Sequence, residues 1–313
     1  MSSSGRISRI MLPLLASAGF ALPAGAVDGV IEINQASALA GGVTACDTPG
    51  FPVSLCASGA YRLTSNLQYP SASVNAIFTA EPDVSIDLNG MTISGANTCT
   101  IGPSGWVTSC TQASGPAAVR TGVRAVVSNG RIKGAAGAGV HTLDAAALRN
   151  LQVTDCGQEG IATGGRSTVV DVATIGNGEI GIYAASEVRI SGAVATNNGG
   201  YGITVATGST VGGVVASQNR FDGILLDSGS QLKEFSAYRN GERAVLAFDG
   251  SVVDSGSIRD NGQASPLSCG LEGSGGAGYR GVVITSIVGG NTATACGMVN
   301  LGGNSCQGVP CPP

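Results

Sequence analysis

Charge and aromatic rings are scarce in this chain. Only 12% of its 313 residues are charged and 4% aromatic, with a single histidine and a single tryptophan. None of the nine cysteines stands in a Cys-x-x-Cys pair, so no metal site is expected, and no cofactor either. Past residue 26 no stretch reaches the roughly 20 apolar residues that a membrane span needs, which excludes a transmembrane segment from the mature chain. What is abundant is glycine, 50 residues of it, in a chain that is 43% apolar. That is too apolar for a disordered linker, and such glycine density implies many turns.

The first residues read as an export signal. Arg6 and Arg9 precede an apolar stretch from Ile10 to Leu22, and Ala24-Gly25-Ala26 supplies a small-residue cleavage site. Removing residues 1–26 takes two arginines from the 16 basic residues and leaves 14 against 20 acidic ones, a formal charge of −6. Nucleic acid is therefore not an expected partner. The expected location is outside the cytoplasm, extracellular or periplasmic.

The organisation of the rest is a period of 21 residues. The pairs Gly139-Val140, Gly160-Ile161, Gly181-Ile182, Gly202-Ile203, Gly223-Ile224 and Ala244-Val245 recur at that spacing without an insertion. Val127, Leu148, Val169, Ile190, Val211, Leu232 and Val253 form a second, wholly aliphatic column, which must point inward. Leu151, Val172, Ala193, Val214 and Phe235 form a third. Three apolar patches per unit predict three short strands per coil. A fourth column, Cys156, Asn177, Asn198, Asn219, Asn240 and Asn261, lies four residues before the Gly-Ile pairs. Stacked at the roughly 4.8 Å strand spacing, these amides would hydrogen-bond along the axis as a ladder, and Asn followed by Gly would take up the left-handed turn. Segments this short and this rich in Val, Ile and Thr exclude an α-solenoid, and no leucine-rich consensus is present. The expected fold is all-β, a right-handed single-stranded parallel β-helix of 21-residue coils with disulfide-rich caps.

NGEIGI, NNGGYGI and NRFDGI resemble the parallel β-helix repeat of the pectin-lyase-like superfamily, and VSIDLNGMTISG at 84–95 is similar to its usual opening coil. The resemblance covers about 84–262. It implies the fold and leaves the activity open, since that superfamily holds lyases, hydrolases, epimerases and adhesins.

The expected organisation is a leader (1–26), an N-terminal cap (27–80), the β-helix (81–262) interrupted by a loop (96–117), and a Cys- and Gly-rich C-terminal cap (263–313). Eight cysteines lie outside the regular coils, and their proximity pairs Cys46 with Cys56, Cys99 with Cys110, Cys269 with Cys296 and Cys306 with Cys311. Cys156 is left over, as a small buried thiol in the end slot of the ladder rather than a nucleophile. The loop carries Trp106, which either packs it onto the body or stacks on a sugar ring.

Chemistry is harder to find. Asp171 and Glu234 share a column but lie three coils apart, roughly 14 Å, too far for a glycosidase pair. Asp222 and Asp227 are read as solvated turn residues, and Arg166 with Glu187 as an axial ion pair. The β-helix polygalacturonases that the repeat resembles carry paired Asp and a Gly-His-Gly segment, whereas His141 is flanked by Val140 and Thr142. Pectate lyases of the same superfamily use acidic calcium ligands and an Arg base; here Arg149, Arg189 and Lys233 face outward beside the aliphatic column with no Asp trio. These cations could hold uronate carboxylates through charge-assisted hydrogen bonds. The sequence thus points to a secreted, non-catalytic scaffold that binds polysaccharide or the cell envelope, with a lyase acting on acidic glycans as the alternative. Three carboxylates beside an Arg would favour the lyase, and a groove of Ala, Gly and Ser the scaffold.

Exported material should begin near Val27 on N-terminal sequencing. A folded, exported product that retains Met1 would refute the leader.

Overall fold

The computed structural model describes residues 29–69, 73–264, 269–287 and 295–311, so the leader lies outside the described residues. A typical regular coil contains a three-residue strand and an eight-residue strand bent at its middle, such as Ile161–Thr163 followed by Thr168–Ile175. In the coil of Gly192 the bend opens the long strand into Arg189–Ser191 and Val194–Thr196. Three strand segments per coil are therefore present, two of them usually continuous. The short strands stack into an 11-stranded sheet and the long ones into an 18-stranded sheet. Axial neighbours across the regular coils are parallel and 21 residues apart, as in Ile161↔Ile182 and Val169↔Ile190. The chain is a right-handed parallel β-helix.

What lets a strand turn three times in 21 residues is a left-handed residue at every corner. One column of corners holds Arg124, Ala145, Arg166, Glu187, Gly208, Gly229 and Gly250, and a second Asn129, Asn150, Asp171, Gly192, Gly213, Glu234 and Ser255. The third holds Gly134, Asp155, Gly176, Asn197, Gln218, Arg239 and Asp260. All have positive φ, which favours Gly, Asn and Asp. This corrects one expectation. The left-handed residue of the Asn turn is the one before the ladder Asn, not the Asn itself.

The aliphatic column from Val127 to Val253 is 0–1% exposed throughout, and Ile161, Ile182, Ile203 and Ile224 are fully buried. Fully burying one such side chain contributes about 1.5–3 kcal/mol. The polar ladder is equally buried. Asn177 Nδ2 donates to Asn198 Oδ1 at 3.0 Å, Asn198 to Asn219 at 2.9 Å, Asn219 to Asn240 at 3.0 Å and Asn240 to Asn261 at 2.8 Å. Each Oδ1 also accepts the backbone N–H of the preceding ladder residue, as Asn219 Oδ1 does from Asn198 at 3.2 Å. Each Nδ2 gives its second proton to a carbonyl, Thr174 O in the case of Asn198. From Asn198 to Asn261 each Oδ1 accepts two hydrogen bonds, whereas Asn177 Oδ1, next to Cys156, accepts the backbone N–H alone. The Gly of each Gly-Ile pair follows from the ladder, because a Cβ at Gly160, Gly181, Gly202 or Gly223 would sit 2.6–2.8 Å from a ladder Nδ2.

Cys156 fills the end slot as expected. Its N–H donates to Asn177 Oδ1 at 3.1 Å, and the thiol is buried and free. The sequence reading missed a second ladder at another corner, where Ser209 N–H donates to Ser230 Oγ and Ser230 N–H to Ser251 Oγ, both at 3.2 Å.

Strands of the terminal segments join the same sheets. Val30–Ile33 pairs in parallel with Gly59–Leu63, which pairs with Val84–Asp87, and the helix Gln35–Ala40 contributes buried Ala38 to the core. Beyond 262 the axial spacing lengthens, as Leu246↔Glu272 shows. All four expected disulfides are formed, Cys46–Cys56, Cys99–Cys110, Cys269–Cys296 and Cys306–Cys311. Loop 96–117 is an antiparallel hairpin in which Cys99 faces Cys110. Among the described residues no helix is long and apolar enough to cross a membrane.

Asn198→Leu removes the acceptor of both Asn177 N–H and Asn177 Nδ2, at about 1–3 kcal/mol for each buried donor left without a partner. Asn75→Leu, at a half-buried site whose amide donates once to Ala117 O, should cost less. Urea unfolding should place the Asn198 variant's midpoint well below the other; equal midpoints would show that the ladder carries no special weight.

Candidate functional site

The first arm of the bent strand presents two outward columns. One reads Ser128, Arg149, Val170, Ser191, Gly212, Lys233, and the other Ala147, Thr168, Arg189, Thr210, Gln231. Arg149 and Lys233 share the first column, four coils or roughly 19 Å apart, and Arg189 lies midway in the second. All three are exposed. Among the described residues none of them makes an ion pair. The floor between them is small, with Ala147, Thr168, Val170, Ser191, Thr210 and Gly212, and a shallow depression of about 410 Å³ opens beside Arg149. Beyond Lys233, Asp254 is taken by Arg280, whose Nη2 donates to it at 2.8 Å and holds its carboxyl below the usual range together with Ser255 and Lys233.

Trp106 is not part of this face. Its hairpin lies over the third column of corners, where Val107 N–H donates to Asn197 O at 3.1 Å, Asn197 Nδ2 donates to Gly105 O, and Asn97 Nδ2 donates to Asp155 O at 2.9 Å. The indole is half-buried. Beneath the hairpin, burial pushes the Cys156 thiol up to about 12, so it is no nucleophile.

The sequence reading missed a charged cluster on the short-strand side. Arg243 Nε donates to Glu272 at 2.6 Å, and Nη1 lies 3.3 Å from Asp222 and 3.5 Å from Glu242. Asp222, expected to be solvated, is 1% exposed and also accepts the Arg243 backbone N–H at 2.8 Å. Asp227 instead receives Thr207 Oγ1 and the Ser228 N–H. Three carboxylates do surround an Arg here, yet the electrostatics oppose lyase chemistry. Burial raises the Asp222 carboxyl against the pull of Arg243, whereas Glu272 and Asp222 overcome burial to raise the guanidinium further. Burial therefore sets the direction for Asp222, with Glu242 adding to it, and the surrounding carboxylates set the direction for Arg243. An Arg held more firmly protonated is a poor base, and its Nε and Nη1 are already engaged by Glu272 and Asp222. A second correction concerns Arg166, which pairs with Asp144 at 3.0 Å rather than with Glu187.

Among the described residues no three His, Cys, Asp or Glu side chains converge on a point that could hold a metal.

The family model for a right-handed β-helix region matches residues 85–240. Among solved structures, the chain is similar to the A-module of the mannuronan C-5 epimerase AlgE4 of Azotobacter vinelandii. The two share 13% identity over 89% of this chain and 86% of that one, with a TM-score of 0.59. The A-module of AlgE6 from the same organism gives 16% identity over 91% and 89%, with a TM-score of 0.54. No curated protein sequence matches the chain.

Arg243→Leu should cost about 2–3 kcal/mol, less than the roughly 3–5 of a fully buried pair, because 24% of the Arg243 side chain is in water. Adding Asp222→Asn should return most of that, since an amide needs no counter-charge and still accepts the backbone N–H. Unfolding midpoints of the single and double variants decide it. A double variant as unstable as the single one would show that the buried charge is not the cause.

Proposed function

Since this chain is a right-handed parallel β-helix protein of the pectin-lyase-like superfamily, we propose that it is an exported, non-catalytic scaffold. Its cation-bearing face would hold an acidic polysaccharide or an acidic polymer of the cell envelope. The observation that carries this reading is the row of Arg149, Arg189 and Lys233, exposed and without ion pairs among the described residues, over a floor of small side chains. Charges spaced every second coil, roughly 10 Å apart, suit repeated carboxylates on an extended chain better than a compact small molecule. In a mature chain of formal charge −6, such a row needs a reason.

Four disulfides suit an oxidising environment and so support export. The two solved modules of similar fold are named for action on mannuronan, but a likeness at this identity shows fold alone and lends this chain no activity. Against the lyase stands the state of Arg243, saturated by carboxylates.

Arg149→Gln, Arg189→Gln and Lys233→Gln together should weaken binding of polygalacturonate or alginate at least tenfold, about 1.4 kcal/mol. Added salt should weaken the wild type too, because exposed charges are screened within about 10 Å at 0.1 M. Calorimetry at two salt concentrations measures both. Rising ultraviolet absorbance from unsaturated uronate ends would overturn the scaffold reading.

A further inference from the structure

On the opposite sheet the outward residues of successive short strands are Arg120, His141, Ala162 and Tyr183, in direct axial register. They floor a cleft of about 330 Å³, walled on the turn side by Gln158 and Glu159. We propose that this cleft binds one uncharged pyranose unit of a glycan, stacked on Tyr183 and hydrogen-bonded through its hydroxyls by Arg120, His141, Gln158 and Glu159.

Shape is the first reason. His141 and Tyr183 stand two coils apart, roughly 10 Å, and Ala162 between them leaves a notch that one flat ring can enter. Tyr183 is 41% exposed, a large ring kept in water on a strand whose neighbouring residues are buried. An amphipathic ring with an apolar face and polar edges suits such a platform.

Charge is the second. The cleft carries one cation, Arg120, and one anion, Glu159, which offset each other. Burial and then Arg120 lower the pKa of His141 below 6.5, with Glu159 opposing, so at neutral pH the imidazole is uncharged. A neutral imidazole offers one donor and one acceptor, Gln158 offers both, Arg120 only donates and an ionised Glu159 only accepts. This mixed set fits sugar hydroxyls, which do both, and gives a carboxylate no net attraction. The cleft is therefore distinct from the cation-bearing face and stands whether or not that face binds acidic glycans.

The single histidine makes the test direct, because its imidazole protons give one reporter in the cleft. The full exported chain is titrated with cellohexaose, maltohexaose, xylohexaose and, as the acidic comparison, hexagalacturonate while the His141 resonance is followed by NMR. At least one hexaose should shift it saturably. Tyr183→Ala and Ala162→Trp, both at outward positions away from the core, should each weaken that binding tenfold or more. The Arg149→Gln, Arg189→Gln, Lys233→Gln variant should keep it within twofold. Three outcomes would overturn the proposal: no shift with any neutral hexaose at millimolar concentration, a shift undiminished in both cleft variants, or a shift only with hexagalacturonate.

Discussion

The axial hydrogen bond between asparagines of successive coils is the interaction on which the rest of this structure depends. Each amide is fully buried and gives both its protons, so the chain must return to the same place every 21 residues with little tolerance. A coil one residue longer would leave two donors without acceptors at the cost of about 1–3 kcal/mol each. The left-handed corners serve that return, because three sharp bends per coil close the triangle. The glycines of the Gly-Ile pairs serve it too, making room for the Nδ2 atoms of Asn177, Asn198, Asn219 and Asn240.

Where the ladder stops, other devices replace it. Cys156 ends the row with a backbone donor and no amide, and the Cys99–Cys110 hairpin lies over it, with Cys99 Sγ 3.5 Å from Cys156 O. At the other end Asn261 closes the last regular step. The coils that follow take irregular spacings, as Leu246↔Glu272 and Tyr279↔Asn300 show, and are stapled by Cys269–Cys296 and Cys306–Cys311. Looser spacing brings residues together that the strict register would keep apart, and the Arg243 cluster is one result.

A backbone fixed this firmly leaves the outward columns free to vary. The long-strand face carries isolated cations over small residues, the short-strand face a polar cleft and then the Asp222–Arg243–Glu272 cluster. The two faces differ in charge and relief although the same hydrogen bonds build both. Recognition in such a protein is a property of which side chains the outward columns hold, and the core is indifferent to them.

The sequence by itself determined the coil length, the inward columns, the ladder with Cys156 at its end and the four disulfides. All of these are set by residues at a constant separation or close neighbours along the chain, and a strict period turns sequence distance into axial distance. It also exposed Arg149, Arg189 and Lys233 as outward residues. Only the tertiary structure decided that the left-handed residue precedes the ladder Asn, since Asp155, Gln218 and Arg239 carry no common chemical signal for that backbone. It alone paired Arg166 with Asp144, drew Glu272 to Arg243 across an irregular coil, and kept Trp106 away from the cations. It also gathered Arg120, His141, Glu159 and Tyr183 into one cleft. The 21-residue spacing aligns Arg120, His141 and Tyr183, but the wall that Glu159 adds and the other contacts depend on rotamers, on turns between columns and on coils that break the period, which the spacing does not encode.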